Sequence, residues 1–226
     1  MYKDDKLNVL VEWLRCNFTD PRSRLSSYSF TFTGTGAAQT ISFSSYLTDT
    51  TYSVYCVNSV SGGSTLTKWV DYNIDLQNQN LTGTFTNGTV YTVVVGIGKS
   101  CWIYKETPSE RLGVESYPRI SVKLVGSNAN VMGKYDAFFE VVNSYQIDFW
   151  AGENYVYTDT DSVKHSGADL ANYLKQKLLD YFQTSTNDLY PLMFNFRLLD
   201  GRGAVFEPVR ELYHSLSTIE LTHLLG

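Results

Sequence analysis

The chain has 226 residues, with 18 Lys and Arg against 23 Asp and Glu and a formal net charge of −5 at pH 7. Its length is sufficient for a full hydrophobic core, and one domain carrying an inserted module fits it better than two equal domains. Charged residues make up only 18% of the chain and aromatic residues 15%, which favours β-sheets with packed faces and argues against a nucleic-acid-binding surface.

The first predicted element is a helix over residues 4–16. Four apolar residues recur at helical spacing and form one stripe along it: Leu7, Leu10, Val11 and Leu14. Pro21 then ends the helical pattern, because a proline disfavours helical geometry at the residue before it. The residues ahead of the helix are too charged for a signal peptide, and no apolar run reaches membrane-spanning length, so we expect a protein made in the cytoplasm without a membrane partner.

Residues 27–104 change to a period of two. Tyr28, Phe30 and Phe32 alternate with Ser and Thr, and similar runs follow around residues 52–59 and 91–95. Turn signals such as Asn87-Gly88 separate these runs. The pattern predicts a small all-β module, a sandwich or a barrel, inserted into the surrounding domain.

The surrounding domain is predicted to comprise residues 1–26 and 105–226. After a polar linker, strands are expected from residue 117 and over residues 138–150, with a glycine-rich turn at residues 126–133 between them. We therefore expect an α+β fold, with a mixed or antiparallel sheet flanked by helices.

A second helix is predicted over residues 166–182, with Ser166 as its N-cap and Asp169 in the first turn. Leu170, Leu174, Leu178 and Tyr181 are expected on its apolar face. Two final strands, over residues 192–199 and 205–221, are expected to be joined by a hairpin turn at Asp200-Gly201-Arg202-Gly203.

The sequence offers no strong signature of a nucleotide or metal site. Residues 93–100 end like a phosphate-binding loop but lack its first glycine and are not followed by a helix start. Asp159, Asp161 and Glu153 could supply oxygen ligands, but the spacing of a calcium loop fails, and a solvated loop is expected instead. We therefore expect no cofactor and no metal.

Catalytic chemistry is not predicted either. The three histidines and three cysteines are dispersed and lie in no nucleophile or ligand pattern: His165, His214, His223, Cys16, Cys56 and Cys101. We therefore expect no catalytic residue and no enzymatic activity; a hydrolase remains the third alternative, with only unpaired carboxylates to support it.

Several segments together resemble one protein family. They are the N-terminal helix, Tyr117-Pro-Arg-Ile-Ser-Val122, Tyr145-Gln-Ile-Asp-Phe-Trp-Ala151, the helix over 168–182 and the closing strands around 200–203. This order is similar to the tail-terminator or tail-completion (head-tail joining) proteins of long-tailed bacterial and archaeal viruses. The inserted β-module is a departure from the compact members and resembles the small β-modules of virion proteins.

The resemblance implies a structural virion protein made in the host cytoplasm. Family members form a ring with themselves, usually of six copies, at the head-proximal end of the tail. There the ring stops polymerisation of the tail tube protein and meets the head connector or adaptor proteins. DNA passes through the lumen without specific binding, and the acidic balance of this chain is compatible with that role.

The predicted subunit contacts are the edge of the long strand over residues 138–150 and two arginines. The candidate interface residues are Tyr145, Ile147, Phe149, Trp150, Arg119 and Arg202.

Two further functions stay open. One is a head-tail adaptor, neck or other tail protein. The other is a carbohydrate-binding β-module protein, with Trp69, Trp102 and Trp150 as a stacking platform, which requires exposed coplanar aromatics on the module.

Overall fold

The computed structural model describes residues 6–105, 113, 116–132, 138–185 and 193–225. It confirms the α+β class: two helices, α1 (Lys6–Asn17) and α2 (Gly167–Ser185), accompany strands in antiparallel and mixed sheets. Among the helices in these ranges, none combines the length and the apolar character needed to cross a membrane.

The chain divides into two compact units. The sheet-helix unit comprises Met1–Val11 and Trp102–Gly226, and the β unit comprises Glu12–Cys101. This division differs from the expected one because its first boundary falls inside α1 instead of at residue 26. The reason is that Glu12, on α1, accepts a hydrogen bond from the backbone N–H of Val57 at 2.9 Å and therefore belongs with the β unit.

The β unit contains two three-stranded antiparallel sheets. Its strands are β1 (Ser26–Thr33), β2 (Ala38–Ser42), β3 (Ser53–Ser61), β4 (Tyr72–Asp75), β5 (Asn80–Thr84) and β6 (Val90–Gly98). The strand orders are β1-β6-β3 and β2-β5-β4. Side chains from both sheets share one core, as in a small sandwich.

The aromatic alternation of β1 explains how this core forms. Phe30 and Phe32 are buried while their neighbours in the strand are exposed. The ring of Phe32 lies 4.8 Å from Phe85 and 5.4 Å from Tyr91. The predicted turn at Asn87-Gly88 is confirmed, and Gly88 has a positive φ of 76° that glycine adopts without a steric penalty.

The sheet-helix unit is built on a five-stranded sheet. Its further strands are β7 (Ile103–Tyr104), β8 (Arg119–Met132), β9 (Phe138–Ala151), β10 (Tyr157–Thr158), β11 (Lys164–His165), β12 (Phe194–Glu207) and β13 (Leu212–Leu225). The order of the main sheet is β12-β13-β9-β8-β7. Neighbouring strands are antiparallel except β7 and β8, which are parallel.

Helix α2 packs on one face of this sheet. Ser166 directly precedes the helix, as predicted, and its carbonyl accepts a hydrogen bond from the N–H of Leu170 at 3.2 Å. The buried stripe consists of Leu170, Leu174, Leu178 and Phe182, whereas Tyr181, which was expected in the stripe, is half-buried.

Two predicted turns are wrong. Gly126 lies inside β8, where the pairing with β9 shifts register between Leu124 and Gly126. Residues 200–203 lie inside β12, whose pairing with β13 shifts register between Phe194 and Arg197, between Leu198 and Asp200 and between Arg202 and Val205. In both places a glycine-containing segment forms a β-bulge within a continuing strand instead of reversing the chain.

The reversal that joins β12 to β13 comes later, at residues 208–211. Pro208 begins this turn, and the N–H of Arg210 donates to the carbonyl of Glu207 at 3.2 Å. Glu211 completes it with a positive φ of 53°.

Candidate functional site

The main sheet has two backbone edges that are open over much of their length. At one side, β12 is the outermost strand. At the other side, β7 pairs only with Ile120 and Ser121, so within the described chain no strand pairs with the outer edge of β8 beyond Ser121. Open strand edges present unpaired N–H and C=O groups and are templates for pairing with another chain.

Apolar side chains accompany both open edges. On β8, Leu124 is 47% exposed and Val125 is 50% exposed. On β12, Leu198 and Leu199 are 44% and 43% exposed. Paired apolar residues on an exposed edge are unfavourable for a solitary subunit and typical of a surface that another chain covers.

Helix α2 covers one part of the β12 edge. The side-chain oxygen of Asn172 accepts a hydrogen bond from the N–H of Ala204 at 2.9 Å, and the ammonium of Lys175 donates to the carbonyl of Arg202 at 2.8 Å. These bonds satisfy backbone groups at the bulge. The part of β12 whose backbone is not bonded to α2 therefore runs from residue 194 to residue 201, and it contains the register shifts between Phe194 and Arg197 and between Leu198 and Asp200.

The predicted interface on the long strand is wrong. This strand, β9, lies in the middle of the sheet, with β13 along one edge and β8 along the other. Tyr145, Ile147 and Phe149 are completely buried and Trp150 is 2% exposed. These residues belong to the core of the sheet-helix unit, because both edges of β9 are paired and their side chains are covered.

The two predicted arginines lie at different places. The guanidinium of Arg119, at the start of β8, lies over the ring of Tyr104 at 3.8 Å from its centroid. Arg202 is exposed on β12, and its Nε lies 4.0 Å from a carboxylate oxygen of Asp200. Of the two arginines, only Arg202 therefore lies next to an open strand edge, where a subunit contact was predicted.

A polar cluster centred on Asp148 occupies the sheet face opposite α2. The buried carboxylate of Asp148 accepts hydrogen bonds from Gln146 at 2.6 Å and from Nε2 of His214 at 3.0 Å, and Lys123 lies 3.8 Å away. Burial raises the pKa of Asp148, but the hydrogen bonds from His214 and Gln146 outweigh it and hold the pKa below its usual value.

The imidazole of His214 also stacks on Trp150, with ring centroids 4.0 Å apart. The cluster thus contains an ionised carboxylate whose partners come from three adjacent strands. Such an arrangement ties strands together, and sequence reasoning missed it because its members are far apart in the chain.

A second cluster lies between β11 and the start of α2. Nδ1 of His165 is 2.6 Å from Asp169, and Nε2 is 3.1 Å from Asp159. The imidazole stacks on Tyr173 at 4.0 Å. Burial by itself lowers the pKa of His165, but the two carboxylates outweigh it and raise the pKa above the usual value.

The carboxylate of Asp159 also stabilises the loop in which it lies, whose acidic residues were candidate oxygen ligands for a cation. It accepts hydrogen bonds from the backbone N–H groups of Asp161 and Val163 at 3.0 and 2.8 Å. Across the residues that the structure describes, no group of three or more His, Cys, Asp or Glu side chains is arranged to hold a metal ion.

The β unit contains a buried ion pair. The ammonium of Lys68 lies 2.9 Å from the carboxylate of Glu12, and the thiol of Cys16 donates to the same carboxylate at 3.2 Å. Burial raises the pKa of the Cys16 thiol, which therefore stays protonated. The hydrogen bond with Cys16 in turn lowers the pKa of the Cys56 thiol. All of these side chains belong to the β unit.

The tryptophans do not form the platform that a carbohydrate-binding module requires. Trp102 and Trp150 are buried and belong to the sheet-helix unit, and Trp69 is half-buried. No aromatic residue in the β unit, all of which the structure describes, is exposed.

Sequence reasoning placed the candidate interface on β9, both edges of which are already paired within the sheet. One signal in the sequence could have indicated the open edge: the apolar pair Leu198-Leu199 directly before Asp200-Gly201-Arg202. The predicted turn at residues 200–203 hides this signal, because it ends the strand at Leu199. The chain matches no family model, no curated protein and no solved structure. Its function is therefore inferred from the sheet edges and clusters described above.

Proposed function

We propose that the chain is a non-enzymatic virion assembly protein. In this proposal it closes into a ring at the head-proximal end of a viral tail tube, with six copies as the number that the family resemblance implies. The ring ends polymerisation of the tube and joins the tail to the head connector. A neck adaptor would use the same ring. The observation that carries the proposal is the pair of open sheet edges, each accompanied by exposed apolar residues.

Two different open edges on one subunit favour a ring over a dimer. A contact between unlike surfaces leaves one surface free at each end, so copies add until the rotation closes the ring. The open edges of β8 and β12 differ in sequence and in exposed side chains, and β12 is bonded to α2 through Asn172 and Lys175. They therefore suit a head-to-tail contact between neighbouring copies.

The charge of the chain supports the expected relation to DNA. With a net charge of −5, the chain lacks the excess of Lys and Arg that phosphate binding requires, so DNA in the lumen would pass without being held. The tail tube protein and the head connector are the remaining proposed partners, and the resemblance of the segments around residues 117–122 and 145–151 supports that assignment.

The proposal is tested by the mass of the protein in solution, measured by light scattering over a concentration series. We expect a discrete ring-sized species for the wild type. The Leu199→Lys variant places an ammonium at the apolar edge of β12, and we expect at least about tenfold more protein to be needed for assembly, which corresponds to roughly 1.4 kcal/mol.

Val209→Lys is the matched control, because Val209 lies in the turn after β12 and is 86% exposed. It makes the same chemical change away from both edges and should assemble like the wild type. Circular dichroism verifies that both variants fold. A wild type that stays monomeric up to about 1 mM has no useful self-affinity and would contradict the proposal.

A further inference from the structure

We infer that residues 122–129 of β8 in one copy pair antiparallel with residues 194–201 of β12 in the next copy. This inference rests on the proposed ring function and specifies its subunit contact. It makes the sheets of neighbouring copies one continuous sheet, with a second copy of this chain as the partner.

Strand direction makes the two edges compatible. In the order β12-β13-β9-β8, every neighbouring pair is antiparallel. Four alternating strands leave β8 and β12 running in opposite directions. When a second copy is placed beside the first in the same orientation, its β12 therefore lies antiparallel to β8 of the first copy, as in the rest of the sheet.

The two open segments also have matching lengths. On β8 the open edge begins after Ser121, where the pairing with β7 ends, and residues 127–130 are exposed. On β12 it ends at Gly201, since the backbone beyond is bonded to Asn172 and Lys175 of α2. Neither segment is a regular strand: β8 shifts register between Leu124 and Gly126, and β12 shifts between Phe194 and Arg197 and between Leu198 and Asp200. The N–H of Gly201 also donates to the carboxylate of Asp200 at 2.8 Å. In the proposed pairing the shifts at Val125 and Leu199 lie beside each other, so the strands can pair on either side of them.

Side chains select one register. In the proposed pairing Leu124 lies opposite Leu199 and Val125 opposite Leu198, so the four exposed apolar residues cover one another. Lys123 then lies opposite Asp200, an attractive pair at the rim.

The neighbouring registers are worse. A shift of two residues in one direction places Lys123 opposite Arg202, a like-charge pair. A shift of two in the other direction places Leu124 opposite Arg197 and leaves Leu199 outside the apolar contact. A shift of one residue places Leu124 opposite Asp200 or Val125 opposite Arg197, so either shift breaks one of the two apolar pairs.

The experiment introduces two cysteines into one chain, Val125→Cys and Leu198→Cys. Within one copy these two positions lie at opposite edges of the main sheet. A disulfide between them can therefore form only between two copies. Oxidised glutathione is the oxidant: two protein thiols form one disulfide, and the glutathione disulfide is reduced to two thiols. Denaturing electrophoresis without reductant should show a ladder that ends at the ring size.

The control pair is Val125→Cys with Val209→Cys, because Val209 is exposed but outside the proposed contact. Edge pairing brings the sulfurs of the test pair within bonding range, so its cross-linking should be at least about tenfold faster than that of the control pair. The single Val125→Cys and Leu198→Cys variants, which contain the native cysteines, should show no ladder.

The outcomes separate the two proposals. A ladder from the test pair alone supports the edge contact. A ring-sized mass without a ladder overturns this contact and leaves the ring function standing, whereas a monomer without a ladder overturns both. Dimers from the single Val125→Cys variant indicate a symmetric β8 contact and also overturn the inference.

Discussion

At the residue scale, His165 is the side chain whose protonation state depends most clearly on its neighbours. Its two ring nitrogens face two carboxylates, Asp159 and Asp169, and an imidazole can donate to both only when it is protonated. Protonation therefore ties the short β10–β11 hairpin to the first turn of α2. A neutral imidazole would leave one of these contacts without its proton.

The pH dependence follows from the raised pKa of His165. A raised folded-state pKa stabilises the fold below the unfolded-state pKa of about 6.5, and this stabilisation is lost as the pH rises through the folded-state value. We expect amides in the first turn of α2 to exchange hydrogen faster, relative to their intrinsic rates, at pH 8 than at pH 6. Hydrogen exchange measures the amide rates, and an NMR titration of the imidazole measures the pKa of His165.

Asp169→Asn should lower the pKa of His165 and weaken this pH dependence. Asp161→Asn is the matched control, because the contact of Asp161 with Asp159 uses its backbone N–H. A pKa of His165 at or below that of a free histidine would show that the carboxylates do not hold the proton.

At the element scale, the position of a strand in its sheet decides what the strand can do. The aromatic strand β9 has the composition of an interface but is the centre of the sheet, with Ile147 completely buried. The less conspicuous strand β12 is outermost and keeps Leu198 and Leu199 exposed. Of these two strands, only β12 therefore has a backbone edge that another chain could pair with, and the proposed contact depends on that edge.

Gln79 joins the two sheets of the β unit. Its amide oxygen accepts from the N–H of Val54 at 2.7 Å, and its amide nitrogen donates to the carbonyls of Val54 at 3.0 Å and Leu76 at 2.6 Å. Val54 is completely buried. The side chain thus satisfies backbone groups of β3 from the turn between β4 and β5.

Gln79→Ala should reduce the free energy of unfolding by about 2–4 kcal/mol, because it removes these bonds and leaves buried backbone groups of Val54 without a partner. Gln79→Gly should recover roughly 1 kcal/mol of that loss, since the backbone φ is +55°. Urea denaturation measures both values.

Exposed Gln77, in the same turn, provides the control: Gln77→Ala should change stability by less than about 0.5 kcal/mol. Equal stabilities for Gln77→Ala and Gln79→Ala would mean that the amide bridge contributes nothing.

At the scale of the whole molecule, the central question is how many copies one defective edge affects. In the proposed ring, a Leu199→Lys subunit would retain its β8 edge and could occupy the β12 edge of a wild-type neighbour, but it would offer the next copy a damaged edge. In a closed ring every contact must form, so a single variant subunit interrupts closure.

Mixing Leu199→Lys with wild type in equal amounts should therefore reduce the yield of rings by far more than half. Light scattering and negative-stain electron microscopy of the mixture measure this yield. A mixture with Val209→Lys should give the full yield. A loss of only half with Leu199→Lys would indicate that the variant stays outside the assembly and that β8 of the variant forms no contact.

The sequence alone determined the properties that depend on neighbouring residues. The alternation of Phe30 and Phe32 predicted a buried face of β1, and the spacing of Leu170, Leu174 and Leu178 predicted the buried stripe of α2. The α+β class and the β-rich character of the region within 27–104 followed from these local periods. Periodicity is readable because successive side chains on one strand or helix point in known directions.

Only the tertiary structure decided the properties that depend on which segments meet. It placed β9 in the centre, turned the glycines at 201 and 203 into part of a bulged strand, and left β8 and β12 with open edges. It also brought Asp148 to His214 across 66 residues of chain. Strand order and long-range pairing are chosen by the packing of the whole core, so no local pattern in the sequence contains them.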